Sequence, residues 1–168
     1  MQAVVDIRTM ADADLPDVLA IQAFCYTELT PESRQSLHAK LKASRSTCQV
    51  ASLHGHTVGY LIALPWESSH PPALDAQTCR LPSSPSCLYL HDLAVMPDAR
   101  RSGAGRVLVE AFLTRLKRMG LGRASLVAVQ NSAPYWERHG FRAVPQAGQL
   151  KARLSTYGLG VQYMERAC

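Results

Sequence analysis

Arg100, Gly103 and Gly105 fall as R-x-x-G-x-G, directly after an apolar run and directly before an amphipathic one. Residues 88–95, LYLHDLAV, are rich in strand formers. Pro97 closes that run, because proline has no N–H to give to a ladder. A chain that leaves a strand, turns through glycines and enters a helix aims several free backbone N–H groups at one point. The helix dipole adds partial positive charge there. The glycines let a ligand approach the backbone closely and permit positive φ. Arg100, Arg101 and Arg106 surround the point with full charge. The chemistry this favours is binding of a phosphate or pyrophosphate. The spacing is not that of a P-loop, and it lacks the G-x-G-x-x-G of a dinucleotide fingerprint.

A second constellation, N-S-A-P-Y-W-E-R-H-G-F, occupies residues 131–141. With both motifs in place, residues 88–144 resemble the GNAT superfamily of acyl-CoA-dependent N-acetyltransferases. Its signature, Q/R-x-x-G-x-G/A, lies between the fourth strand and the next helix. The N-terminal half is similar only in pattern. The resemblance implies acetyl-CoA as cosubstrate and direct attack by a bound amine. It implies that the backbone of Leu93, Ala94 and Val95 pairs with the pantetheine arm. It further implies that Arg100, Arg101, Ser102, Gly103, Ala104, Gly105 and Arg106 surround the pyrophosphate, chiefly through backbone N–H groups. Asn131 matches a position that contacts the CoA arm, with helix capping as the other reading.

The attacking amine must be neutral. An alkyl ammonium has a pKa near 10.4, so at pH 7.4 the neutral form is disfavoured by roughly 4 kcal/mol. A general base beside the acyl group removes that handicap. Period-two alternation puts Tyr89, His91, Leu93 and Val95 on one face of the strand and Asp92 on the other. His91 is the candidate base, with Tyr89 beside it; a strand histidine bonded to a neighbouring loop is the bland alternative. The run H-x-L-A-V resembles the arylalkylamine N-acetyltransferases, in which this histidine serves proton removal. The usual family tyrosine for the departing thiolate is replaced here by Trp136, which is expected to pack near the CoA arm. Tyr135, one place earlier, is the remaining candidate acid, although adjacent helical residues point about 100° apart. The acceptor is expected between the loop at residues 24–34 and that at residues 65–87. Phe24, Tyr26 and Trp66 can line an apolar wall there, and Glu28 and Glu32 can attract an ammonium.

The elements that must position these residues follow from pattern. Residues 4–8 read as a strand. Asp12, Asp14 and Pro16 signal a helix start, with Leu15, Val18, Leu19 and Ile21 on its face and its end near Tyr26. A second helix starts at Thr30-Pro31-Glu32, with Leu37 and Leu41 buried. Residues 47–53 and 58–64 form a hairpin around His54-Gly55-His56. Residues 65–86, dense in proline and serine, form a long loop. After the central strand come a helix over 105–119, a strand over 124–129, a short helix ended by Gly140, a strand at 141–144 and a tail strand at 159–164. The expected fold is α/β (α+β): a mixed, mostly antiparallel sheet of six to seven strands, GNAT-like, with helices on both faces.

The 168 residues suffice for one domain, 1–168, with a sizeable core. Net charge is +5, which suits an anionic ligand but is mild for nucleic acid, and no run of five basic residues occurs. Five cysteines without a C-x-x-C pair point to a reducing, cytoplasmic setting. No zinc-ligand spacing appears among the six histidines, so no metal is expected. Asp6 and Arg8 interrupt the N-terminal apolar run, so no signal peptide is read, and no stretch is long enough to span a membrane. The expected activity is acetyl transfer to a primary amine of a small molecule by a monomer or homodimer. A non-catalytic acyl-CoA-binding or sensory domain, and a protein or peptide N-acetyltransferase, are the alternatives.

Overall fold

The computed structural model describes residues 4–146 and 148–168. Their order is β1 (Asp6–Thr9), α1 (Leu15–Cys25), α2 (Arg34–Ala43), β2 (Gln49–Leu53), β3 (His56–Trp66), β4 (Cys87–Val95), α3 (Ala104–Arg118), β5 (Arg123–Ala128), α4 (Ala133–Arg138), β6 (Arg142–Ala143), α5 (Gln149–Leu154) and β7 (Gln162–Ala167). Seven strands form one sheet in the order β1-β2-β3-β4-β5-β7-β6. Only β4 and β5 run parallel. This is the mixed, mostly antiparallel sheet that the family resemblance implies.

Helices cover both faces. Leu108, Phe112 and Leu116 recur at helical spacing on α3 and pack with Leu61, Leu88, Leu90 and Leu126 of the sheet. On the other face Leu15, Val18 and Ile21 of α1 and Leu37 and Leu41 of α2 pack on Val50, Tyr60, Ile62 and Ala94. Each such leucine, fully buried, contributes about 1.5–3 kcal/mol. Gly120, at φ +69°, ends α3, and Gly140, at φ +88°, follows α4.

Three elements depart from the sequence expectation. Helix α2 starts at Arg34, not at residues 30–32, because the Ser33 hydroxyl accepts the Ser36 N–H at 3.1 Å and caps it there. That leaves Thr30, Pro31 and Glu32 in the loop. Helix α5 is unexpected; its sequence signal is only Leu150 and Leu154, four apart, which pack on Tyr163. Strand β7 lies three residues later than the pattern suggests and inserts between β5 and β6. Gly158 and Gly160, both at positive φ, and the fully exposed Leu159 stay outside the sheet.

Residues 67–86 contain no regular element, yet several bonds hold the segment down. The Ser69 N–H donates to Tyr163 Oη at 2.8 Å, the Tyr157 hydroxyl donates to the Pro72 carbonyl, and the Asp75 N–H donates to Glu32 Oε1 at 2.9 Å. No helix among the described residues is long and apolar enough to cross a membrane.

Candidate active site

The site originates in a defect of the central strand. β4 pairs with β3 as Ile62↔Asp92 and then Ala63↔Leu90, so His91 is an extra residue without a partner across the ladder. Such a bulge shifts the side-chain alternation by one place. Leu90, Leu93 and Val95 therefore all join the α3 face. Asp92 and Ala94 turn to the α1/α2 face, where His91 also meets its partner. This corrects the expectation that Asp92 opposes His91 while Leu93 and Val95 share its face: strict alternation fails at the bulge.

A second irregularity opens the space. The parallel ladder between β4 and β5 covers only Leu88–Leu90 against Ala124–Leu126. Beyond it the strands splay, and the β5-facing edge of β4 from His91 to Val95 has no strand beside it. A cavity of about 760 Å³ fills the gap, lined by Leu90 to Val95 on one side and by Leu126, Val127, Val129 and Gln130 on the other. Unpaired strand edges offer N–H and C=O groups to any extended ligand.

One end of the cavity is the R-x-x-G-x-G turn. Gly103 adopts φ +87° and stands just before α3, and the Val107 N–H closes the first helical bond onto its carbonyl. The Ala104 N–H turns back to Ser102 Oγ at 3.2 Å. Gly105 and Arg106 then carry first-turn N–H groups with no helical acceptor, as at any helix start. A Cβ on Gly105 would lie 3.1 Å from Tyr135 Oη, so a side chain there would narrow this approach and press on that hydroxyl. Arg100 lines the end and donates from Nε to the Val95 carbonyl at 3.2 Å. Arg106 lines it too and pairs with Glu110 at 2.8 Å. Arg138 at the end of α4 and His139, its C-cap, which sequence reading passed over, add basic groups. Burial, with Arg166 and Arg138 nearby, holds the His139 pKa below its ordinary value. Arg101 is exposed and Ala104 is buried, and neither lines the cavity.

α4 places Trp136 and Tyr135 as neighbours with distinct tasks. Trp136 is 6% exposed and stacks edge-to-face on Phe141, with ring centroids 5.7 Å apart. It anchors α4 in the main core while contributing to the cavity wall. Tyr135 also lines the cavity, its hydroxyl over Gly105, and burial raises its pKa. Asn131 is exposed and off the lining, and the N-cap of α4 is Ser132, which makes no side-chain cap bond.

The other end of the cavity is built around buried charge. His91 Nε2 lies 2.7 Å from Glu32 Oε2, with both side chains almost wholly buried. Glu32 Oε1 accepts from Lys40 Nζ at 3.3 Å, from Ser36 Oγ at 3.3 Å and from the Asp75 N–H. Gln22 brackets the Glu32 backbone, accepting its N–H at 3.1 Å and donating to its carbonyl at 3.0 Å. Burial pushes the Glu32 pKa up, but the opposing His91, Lys40 and the Asp75 N–H outweigh it. The carboxyl is held well below the usual carboxylate range. An ionised Glu32 can only accept, so His91 donates Nε2–H to it, and in the neutral ring Nδ1 is then the nitrogen with the free lone pair. Nδ1 has no hydrogen-bond partner among the described residues, and His91 lines the cavity.

Asp92 is surrounded differently. It accepts from Tyr26 Oη at 2.5 Å and Tyr60 Oη at 2.6 Å, and Tyr26 also reaches the Leu93 carbonyl at 3.0 Å. Burial raises the Asp92 pKa, against the pull of His91 and the two hydroxyls. The two carboxyls of this end are thus driven in opposite directions.

Of the remaining sequence candidates, Tyr26 and Glu32 line the cavity, and Phe24, Glu28 and Trp66 do not. Phe24 is 62% exposed, and the Trp66 indole donates to the His70 carbonyl at 2.7 Å. Tyr89 is buried behind the lining, its hydroxyl 3.2 Å from that of Tyr157. Tyr157, Leu74 and Gln130 line the cavity without having been singled out. Lys40 carried a signal in the sequence: it falls on the Leu37/Leu41 stripe of α2, and a lysine on a buried stripe needs a counter-charge.

The comparisons with known proteins agree with this geometry. The family model of the GNAT acetyltransferases matches residues 15–141. No curated protein matches the chain. Among solved structures, a GNAT-like decarboxylase, GphF, in complex with isobutyryl-CoA superposes with TM-score 0.78 at 19% identity, covering 96% of this chain and 98% of that one. PaiA N-acetyltransferase from Thermoplasma acidophilum, in complex with coenzyme A, gives 0.70 at 13%, covering 98% and 99%. The ribosomal-protein-S18-alanine N-acetyltransferase from Escherichia coli gives 0.68 at 17%, covering 98% and 94%. The chain belongs to the GNAT acetyltransferase family, a family of acyltransferases.

Proposed function

We propose that this chain is an acetyl-CoA-dependent N-acetyltransferase that acts on the primary amine of a small molecule by direct attack, with His91 as general base. The observation that carries the reading is the His91–Glu32 pair: one imidazole nitrogen is committed to a buried carboxylate, and the other is buried without a partner in a residue that lines the cavity. Glu32 is a positioning residue that holds the imidazole and its tautomer. His91 Nδ1 takes a proton from the ammonium, directly or through one water. The neutral amine then attacks the thioester carbonyl, the new C–N bond forms, the C–S bond breaks with its electron pair on the sulfur, and the nitrogen passes its remaining extra proton to the departing thiolate, directly or through water, to give the amide and the free thiol.

The phosphate end supports acyl-CoA as donor. The Gly105 and Arg106 N–H groups, the α3 dipole and Arg100 suit a pyrophosphate, and the edge of β4 that has no strand beside it suits the amide-bearing arm behind it. The departing thiol has an ordinary pKa near 8.5, only about 1.5 kcal/mol from protonation at pH 7.4. The leaving group therefore needs little help, and a wall with Trp136 in it is compatible with turnover. Two features favour a small acceptor over a polypeptide. Residues 67–86 are tied down beside the His91 end through Pro72 and Asp75, and Leu74 forms part of the wall.

The test is release of free thiol from acetyl-CoA with a panel of primary amines and peptides, in wild type and His91→Ala. Turnover with a small amine is expected, with the maximal rate of His91→Ala lower by roughly 10² or more and acetyl-CoA affinity nearly unchanged. Binding of CoA without turnover of any amine would favour a non-catalytic acyl-CoA domain instead. A fully active His91→Ala would remove the base from His91.

A further inference from the structure

The loop between α1 and α2 crosses the cavity, and its ties fall on both sides of it. On the β4 side Tyr26 bonds Asp92 and the Leu93 carbonyl, and Glu32 bonds His91. On the β5 side the tie is Gln130. Its Oε1 accepts the N–H groups of Thr27 at 3.1 Å and Glu28 at 3.0 Å, and its Nε2 donates to the Cys25 carbonyl at 3.4 Å. Two backbone groups of the loop and one at the last residue of α1 are thus held by one side chain that also lines the cavity.

The backbone under Gln130 supplies a second, independent observation. The Ser132 N–H bonds the Val129 carbonyl at 3.0 Å, with Gln130 at φ +51° and Asn131 at φ +59° between them. A four-residue turn with both central residues left-handed favours Gly, Asn and Asp. Asn131 suits it, but Gln130 does not: glutamine has neither the missing Cβ of glycine nor the short amide that bonds its own backbone. Non-glycine residues are kept in such conformations where the surrounding structure over-determines them, often at ligand clamps.

We propose that Gln130 is a positioning residue that clasps the α1–α2 loop to β5 and closes a roof over the gap between β4 and β5. The roof sets the width of the His91 end, because the loop it holds carries Leu29, Thr30, Pro31 and Glu32 into the lining. The phosphate end, built on α3 and α4, takes no side-chain hydrogen bond from Gln130 and meets the clasped segment at Cys25, whose Sγ lies 3.9 Å from Arg100 Nη2. This inference rests on the amine-acetylation reading for its kinetic arm only.

The experiment compares wild type, Gln130→Ala and Gln130→Glu. Glutamate keeps an oxygen for the two N–H groups, whereas alanine keeps nothing. In amide hydrogen exchange, Thr27 and Glu28 should exchange at least about tenfold faster in Gln130→Ala and near the wild-type rate in Gln130→Glu. With 2-phenylethylamine as the probe amine, Gln130→Ala should raise the amine KM by about tenfold, with acetyl-CoA Kd from calorimetry within about twofold. Gln130→Glu should restore the amine KM. Unchanged exchange at Thr27 and Glu28, or a Gln130→Glu variant as open as Gln130→Ala, would overturn the clasp. Absence of turnover in wild type would overturn the functional reading and leave exchange to decide the clasp.

Discussion

At the phosphate end, residues 95–106 supply most of the groups from one continuous segment, and much of that is backbone. At the His91 end the groups come from α1, the loop after it, α2, residues 67–86, β4 and the segment before β7. Nearly all of these are side chains in mutual contact. A site made of backbone at a helix start tolerates most side-chain changes and fails only where a new Cβ occupies the ligand's space. A site made of buried polar side chains fails whenever one partner is removed, because its neighbour keeps its desolvation cost and loses its compensation. The two ends should therefore break in different observables: ligand affinity at one, stability and rate at the other.

The sharpest way to break the His91 end is Glu32→Ala. It strands the Lys40 ammonium, which is 2% exposed, and frees His91 to rotate. Removing one partner of a buried ion pair costs about 3–5 kcal/mol, so chemical denaturation should show a loss of that order. The sign with pH is fixed. The Glu32 pKa is depressed in the fold, so its stabilisation is complete above the ordinary glutamate value near 4.5 and is lost progressively as pH falls below it towards the depressed folded value. Wild-type and mutant stabilities should accordingly converge in acid. A constant gap down to the lowest workable pH would mean that packing, not charge, holds Glu32.

The phosphate end is broken by Gly105→Val. Gly105 sits in the first turn of α3 without a positive φ, so valine there should fold, whereas valine at Gly103 would also strain the turn. CoA affinity measured by calorimetry should fall by well over tenfold, about 1.4 kcal/mol or more, with thermal stability nearly kept. Unchanged affinity in the folded variant would move the anion away from this turn.

The smallest effect is expected where the two ends meet. Tyr135→Phe removes a hydroxyl above Gly105 and leaves the ring contacts with Trp136 and His139 in place. With a leaving thiol already near its own pKa, the maximal rate should change by less than about tenfold. A collapse in rate with CoA binding and melting point intact would make Tyr135 the acid and join the two ends into one catalytic unit.

How much of the site can be read in advance follows the same division. Arg100, Gly103, Gly105 and the strand before them announce the turn proposed to hold an anion, because a strand–turn–helix is encoded within a dozen residues. His91 could be singled out, but its face could not: alternation assigns Asp92 to the opposite side, and the bulge cancels that. Lys40 and Glu32 are individually visible as a lysine on a buried stripe and an acid in a loop. Nothing local pairs them with His91.

The sequence by itself therefore determined the order of the strands and of every helix but α5, the buried stripes of α1, α2 and α3, and the glycine turn that opens α3, all set by periodicity, caps and glycines over short range. Only the tertiary structure decided which side chains share the cavity. Glu32 and His91 are 59 residues apart, and Thr27 and Gln130 are 103 apart. Their meeting depends on sheet register and on where β4 and β5 part. The physical reason is that a bulge or a splay is settled by the sum of contacts across the whole sheet, a quantity that no short window of sequence contains.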